Sequence, residues 1–286
     1  MYNFNCRPQF STLVATEAFN VDVAVTPKAA GPSKLTSKKL ENGIKLITKD
    51  TGSAVTSVDI AIMGGSSAES PSEQGFAHLL AAGALSGSAE KSGLRLCRDL
   101  ENVGATISST VDREKIIYSI SCLSDKVEEA LSVVGDAITK PVGSGRLYTI
   151  EESKGTANVM IQEHQADPIS QVKELLYEAA YGEATAMGSP VYSNNMSKVD
   201  VEDVMAFRSK NFVSNNVVIS ATGISFEEMK RYVDCHFFNM PSGAQAAAGG
   251  AYVGGDMKVR VDLDGDSYLA VGFPVPSGAA GEYLLS

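Results

Sequence analysis

The sequence predicts an α+β fold, with helices packed on one face of a mostly antiparallel sheet, and three observations carry that expectation. Short segments alternate apolar and polar residues: "VTSVDIAIMGG" sets Val58, Ile60 and Ile62 against Asp59 and Ala61, the pattern of a strand with one wet face. Helical stretches come in pairs between such strands, without regular strand-helix-strand alternation, which favours α+β over α/β layering. Finally, a Gly-, Ala- and Ser-rich stretch, "NMPSGAQAAAGGAYVGG", separates the well-patterned region from two more apolar runs.

Taken in order, residues 1–34 read as an N-terminal arm or targeting remnant. Residues 19–34, with Pro27, Gly31 and Pro32, hold no sustained period, and "MYNFNCRPQFSTLVAT" has no acid, one Arg and several hydroxyls, without the Arg-rich amphipathic pattern of a transit peptide. In "LENGIKLITKD" the pair Asn42-Gly43 predicts a type I′ turn ahead of a short strand. Helices are expected over 72–85 and 94–103, then a hairpin in "ATISSTVDREKIIYSISCL" turning at Asp112-Arg113. Val127, Ala130, Leu131, Val134 and Ile138 line one face of a further helix that Pro141 closes. Helices over 148–165, 169–181 and 201–212 follow, then a buried strand in "NNVVISATG" and an amphipathic helix in "SFEEMKRYVDCHFF". The expected organisation is a first domain at 35–240, a linker at 241–256, and the start of a second domain at 257–286, opening with strands in "MKVRVDL" and "SYLAVGF".

Composition narrows the function. With 286 residues, 44% hydrophobic and 20% charged, the chain can bury one large core and begin another. No run reaches the roughly 20 apolar residues of a spanning helix, so membrane contact is expected only through partners. A net charge of -10 opposes nucleic acid or anionic lipid as the main partner. Cys6, Cys97, Cys122 and Cys235 fit neither a metal pair nor a dense disulfide framework, which makes a reducing compartment the default.

The three histidines carry the chemical question. "GFAHLLAAGALSGSAE" (75–90) places His78 at the head of an apolar helix, where a zinc hydrolase of the HxxEH type would follow it with a carboxylate and a second imidazole. Here Ala81 and Ala82 stand in those places, and one neutral imidazole cannot hold zinc alone. His78 is therefore expected to be a helix histidine hydrogen-bonded to a neighbour. Glu163-His164 point about 100° apart on a helix and read as a solvated face. Cys235-His236 are adjacent helical residues that do not face each other, which argues against a thiol nucleophile. "GGSSAESPSEQG" (64–75) lacks both dinucleotide and P-loop spacing and reads as a strand-to-helix turn. The expectation is no catalytic set, no metal and no cofactor.

The order "ENGIKLITKD", "IMGGSSAES", "GFAHLL", "LCRDLENVGATISSTVDREKIIYSISCL" resembles the N-terminal half of the pitrilysin-type zinc peptidase superfamily, which includes the mitochondrial processing peptidase and the core proteins of respiratory complex III. The resemblance implies two homologous peptidase-like domains, the second truncated here, and puts the general base at Ala81 and the second imidazole at Ala82. The family's third ligand, a Glu on a later helix, falls on Met160 in the ungapped register, with Glu152 and Glu163 as off-register alternatives. A peptidase fold retained after loss of its metal site is what this implies. The stretch "YVGGDMKVRVDLDGDSYLAVGFPVPSGAAGEYLL" resembles the inactive core-protein branch of the cytochrome bc1 complex. That branch implies a matrix-side subunit of the mitochondrial inner membrane, partnered by a homologous core subunit and by the cytochrome b and c1 subunits. The non-catalytic α-subunit of the processing peptidase, which also lacks HxxEH, is the alternative.

Overall fold

The computed structural model describes residues 35–140, 147–182, 185–193, 199–244, 250–260 and 267–274. The arm expected over 1–34 lies outside the described residues. In chain order the elements are β1 (Leu35–Lys39), β2 (Lys45–Lys49), β3 (Val55–Met63), α1 (Phe76–Ala82), α2 (Gly93–Asn102), β4 (Thr106–Val111), β5 (Lys115–Leu123), α3 (Val127–Thr139), α4 (Leu147–Ala166), α5 (Pro168–Tyr181), α6 (Val201–Asn211), β6 (Val217–Thr222) and α7 (Phe226–His236).

The strands form one six-stranded sheet in the order β1-β2-β6-β3-β5-β4. Every pairing is antiparallel except that of β2 with β6, where Lys45 lies beside Val218 and Lys49 beside Thr222. The period-two pattern of β3 sends Val58, Ile60 and Ile62 to one face, all fully buried, in register with Ile120, Tyr118 and Ile116 of β5 and with Ala221, Ile219 and Val217 of β6. The other face carries Ser57, Asp59, Ser119 and Ser121, exposed or half-buried. Among the described residues the helices pack on the apolar face, where Leu131 and Val134 of α3, Phe207 of α6 and Met229 and Val233 of α7 complete one core with the strands. Each such side chain contributes about 1.5–3 kcal/mol by leaving water, so the alternation fixes which face is covered.

Local chemistry sets the ends of the elements. Asp167 caps α5 by accepting from the N–H groups of Ile169 (3.2 Å) and Ser170 (3.1 Å), with Pro168 in the first turn. At α7 the Ser225 hydroxyl caps the helix, accepting from the Glu228 N–H (3.4 Å) and donating to the Glu228 carboxylate (2.8 Å). Arg208 of α6 donates to the free carbonyls of Ala137 and Ile138 at the end of α3 (3.0 and 2.7 Å), where a cation is favoured.

Several sequence expectations need correction. The Asn42-Gly43 turn is not type I′, which requires positive φ at both central residues. Only Gly43 has it (φ 96°), while Leu40 accepts from the Gly43 N–H (3.0 Å) and donates to Ile44 (2.8 Å), the pattern of a type I turn closed by a left-handed glycine. β1 has no apolar period and is not foreseen; it exists because all five of its residues pair with β2. The helix expected over 72–85 is confined to Phe76–Ala82, since Glu73 folds back to the Ser70 N–H (2.9 Å) and Gly75 enters the helix at φ 94°. Finally, the described parts of "MKVRVDL" and "SYLAVGF" are not strands, and Val259, Leu269 and Phe273 are exposed. A strand needs a neighbour for its backbone ladder, and among the described residues neither segment has one.

Candidate functional site

The buried face of the sheet ends at β4, an edge strand, and α1 lies across that end. The Ser109 hydroxyl of β4 donates to the Ala81 carbonyl (2.7 Å), tying the C-terminal end of α1 to the edge. On its other side α1 packs against α4, where Ala157 and Ile161 are buried. Between β4, α1, α4 and the start of α5 lies a cleft of about 360 Å³, whose walls include His78, Ala81, Met160, Glu163, His164, Asp167 and Tyr192.

His78 is fully buried. Its Nε2 lies 3.1 Å from the Ala157 carbonyl, which can only accept, so Nε2 carries the proton and Nδ1 presents its lone pair without a partner. Burial holds its pKa below the ordinary imidazole value; the Ala157 carbonyl opposes the shift, and the neighbouring His164 adds to it. The group is a neutral imidazole at neutral pH.

Of the positions singled out from the sequence, the structure brings His78, Ala81, Met160 and Glu163 to the cleft wall and leaves Ala82 off it, half-buried against the core. Glu152 is exposed on α4 and does not line the cleft. The reading of Glu163-His164 as a solvated face is corrected for His164, whose side chain is 17% exposed and packs on Tyr192 with ring centroids 4.4 Å apart. His236 sits between α3 and α7, its Cβ against Gly135, away from the cleft. Cys97 and Cys122 are the free cysteines among the described residues, and burial pushes the Cys122 thiol up to about 11.

Residues that sequence reasoning passed over complete the site. Tyr192 stands between the two imidazoles, edge-on to His78 at 4.7 Å and tilted over His164 at 4.4 Å. Arg113, in the β4–β5 turn, reaches Glu174 of α5 at 2.6 Å, donates Nε to the Met187 carbonyl (2.9 Å) and covers the Tyr177 ring at 4.0 Å. The Glu174 carboxylate also accepts from the Val191 N–H (3.4 Å), one residue before Tyr192. No local motif announces this set, because its members lie on three separate segments; an Arg in a hairpin turn was the one visible sign.

Glu69 organises the other end of α1. Its carboxyl accepts from the N–H groups of Gly75 (2.9 Å) and Ala77 (2.7 Å), at the helix N-terminus. Burial nevertheless pushes its pKa up to about 8, with the backbone donors opposing and Glu73 reinforcing.

A one-sided α+β layer with a cleft between its open edge and a helix headed by a histidine defines the chain's class as a peptidase-like domain. The chain belongs to the insulinase family, peptidase family M16, whose model matches residues 45–193. It is similar to the probable mitochondrial-processing peptidase subunit alpha-1 of Arabidopsis thaliana, at 28% identity over 86% of this chain and 48% of that protein. Similarity to the human cytochrome b-c1 complex subunit 2 is 27% over 87% of this chain and 54% of the relative, and to the bovine mitochondrial-processing peptidase subunit beta 26% over 81% and 48%. The chain spans about half the length of these relatives.

A peptidase of this family implies zinc, and the residues present do not fit it. Zinc takes three or four protein ligands, whereas no group of three or more His, Cys, Asp or Glu among the described residues could hold a metal. Ala81 and Met160 bring no hard donor to the cleft, and the Nε2 of His78 is occupied by Ala157.

Proposed function

We propose that the chain is a non-catalytic structural core subunit of respiratory complex III, on the matrix side of the mitochondrial inner membrane. The observation that carries this reading is the cleft, which a buried, hydrogen-bonded His78 lines together with Ala81 and Met160 beside an extensive buried core. A chain that keeps its fold and drops the groups needed to activate water is suited to assembly. Similarity to the complex III subunit 2 proteins of human and Saccharomyces cerevisiae supports it. In this reading 35–240 is the first of two homologous units, 241–256 a linker and 257–286 the start of the second. The partners are a homologous core subunit and the cytochrome b and c1 subunits, and the chain meets the membrane through them.

A second reading is favoured by a specific observation: Arabidopsis and potato relatives named as processing-peptidase α-subunits match over 86–88% of this chain. In that reading the chain is the non-catalytic, substrate-binding α-subunit beside a zinc-bearing partner. Mild-detergent purification through a tag on this chain separates the two. Co-recovery of b- and c-type haem absorbance in fixed ratio supports the first, whereas recovery of one zinc-containing soluble partner with presequence-cleaving activity overturns it in favour of the second.

A further inference from the structure

We propose that residues 185–193 form a built-in plug of the cleft: Tyr192 fills the space between His78 and His164, and the Arg113–Glu174 pair is the latch that holds it there. This stands apart from the choice between the two assembly readings.

The geometry supports it at each point. Tyr192 touches both imidazoles, 4.7 Å from His78 and 4.4 Å from His164 between ring centroids, so a ligand approaching His78 from the side of His164 must displace its ring. Three residues of the same segment, Met187, Val191 and Ser193, are buried, so the segment is anchored rather than draped over the surface. Its backbone is held at two places by the one ion pair. Arg113 binds the Met187 carbonyl (2.9 Å), and Glu174 accepts from the Val191 N–H (3.4 Å) while the two charges meet at 2.6 Å. Arg113 is 5% exposed, so water screens this pair weakly and its loss would free both anchors together. Arg113 and Glu174 are thus positioning residues, acting on the cleft through Tyr192.

The chain's three histidines provide the test. The full chain is treated with diethyl pyrocarbonate, and modification at His78, His164 and His236 is followed separately by peptide mass spectrometry. His78 should react slowly in the wild type and in Tyr192→Phe, which keeps the ring. It should react on the order of tenfold faster or more in Tyr192→Ala, with His236 unchanged, as expected for a local opening. Glu174→Gln decides the role of the latch, because it removes the charge and leaves Tyr192 in the chain. Faster reaction at His78 in this variant is expected, and a wild-type rate would overturn the latch. The plug is overturned if Tyr192→Ala leaves His78 as slow as in the wild type, or if His236 accelerates in parallel, which marks general loosening.

Discussion

Arg113 and Glu174 show how much one buried pair can hold. Their side chains are 6% and 20% exposed, and the guanidinium also serves a carbonyl and an aromatic ring. Removing one partner strands the other, so Arg113→Ala should cost about 3–5 kcal/mol in denaturant unfolding, and the loss should exceed that of the exposed pair Lys126–Glu129. Glu69 carries a different signature. Its folded pKa of about 8 lies above the ordinary carboxylate value, so the folded state binds the proton more tightly. The associated stability is complete below the unfolded pKa and is lost as pH rises towards 8. Glu69→Gln should therefore flatten the stability profile between about pH 5 and 8, by about 1–4 kcal/mol. A wild-type profile that rises over that window, or an unchanged slope in the variant, would refute the assignment.

Among elements, the contact of α3 with α7 is expected to respond to pH. The Nε2 of His236 is buried without a partner, and burial holds its pKa below the ordinary value against the pull of Glu128 and Asp136 and with the help of Lys140. A depressed imidazole pKa means that stability is present above the unfolded pKa and falls as pH drops through it. Amide exchange in α7 should accelerate below about pH 6.5, and His236→Gln should blunt that response. The N-terminal end of the same helix depends on its Ser225 cap. Ser225→Ala should cost about 1 kcal/mol in thermal or chemical unfolding, measurable without loss of fold.

For the molecule as a whole, the reading as a non-catalytic subunit makes two linked statements. Elemental analysis of metal-free-handled protein should find no stoichiometric zinc. Ala81→Glu combined with Ala82→His should not produce chelator-sensitive cleavage of a presequence peptide. The structure supplies reasons beyond the missing ligands: Met160 lines the cleft, the Tyr192 ring packs against His78, and the Nε2 of His78 is engaged with Ala157. A working peptidase needs a shaped site and supporting contacts as well as ligands. Cleavage by the double variant alone would reverse the conclusion.

What the sequence determined by itself is local and periodic. The alternation in β3, the buried strand at β6, the apolar stripe of α3 and the hairpin at Asp112-Arg113 were readable because side-chain period follows directly from backbone geometry. His78, Ala81 and Ala82, which the family resemblance places at the ligand and base positions, were equally legible, since they lie within about one turn of a single short helix. Tertiary structure decided what depends on distant partners. β1 became a strand because β2 offered it a ladder, and the stretches near Val259 and Leu269 did not because no ladder was offered among the described residues. His164 left the solvated face its neighbours suggested, since Tyr192, 28 positions along the chain, packs on its ring. Arg113, Glu174 and Met187 meet behind Tyr192, which lines the cleft, through contacts spanning as many as 74 residues of sequence. Period says which face is apolar; only packing and pairing say which distant groups meet there.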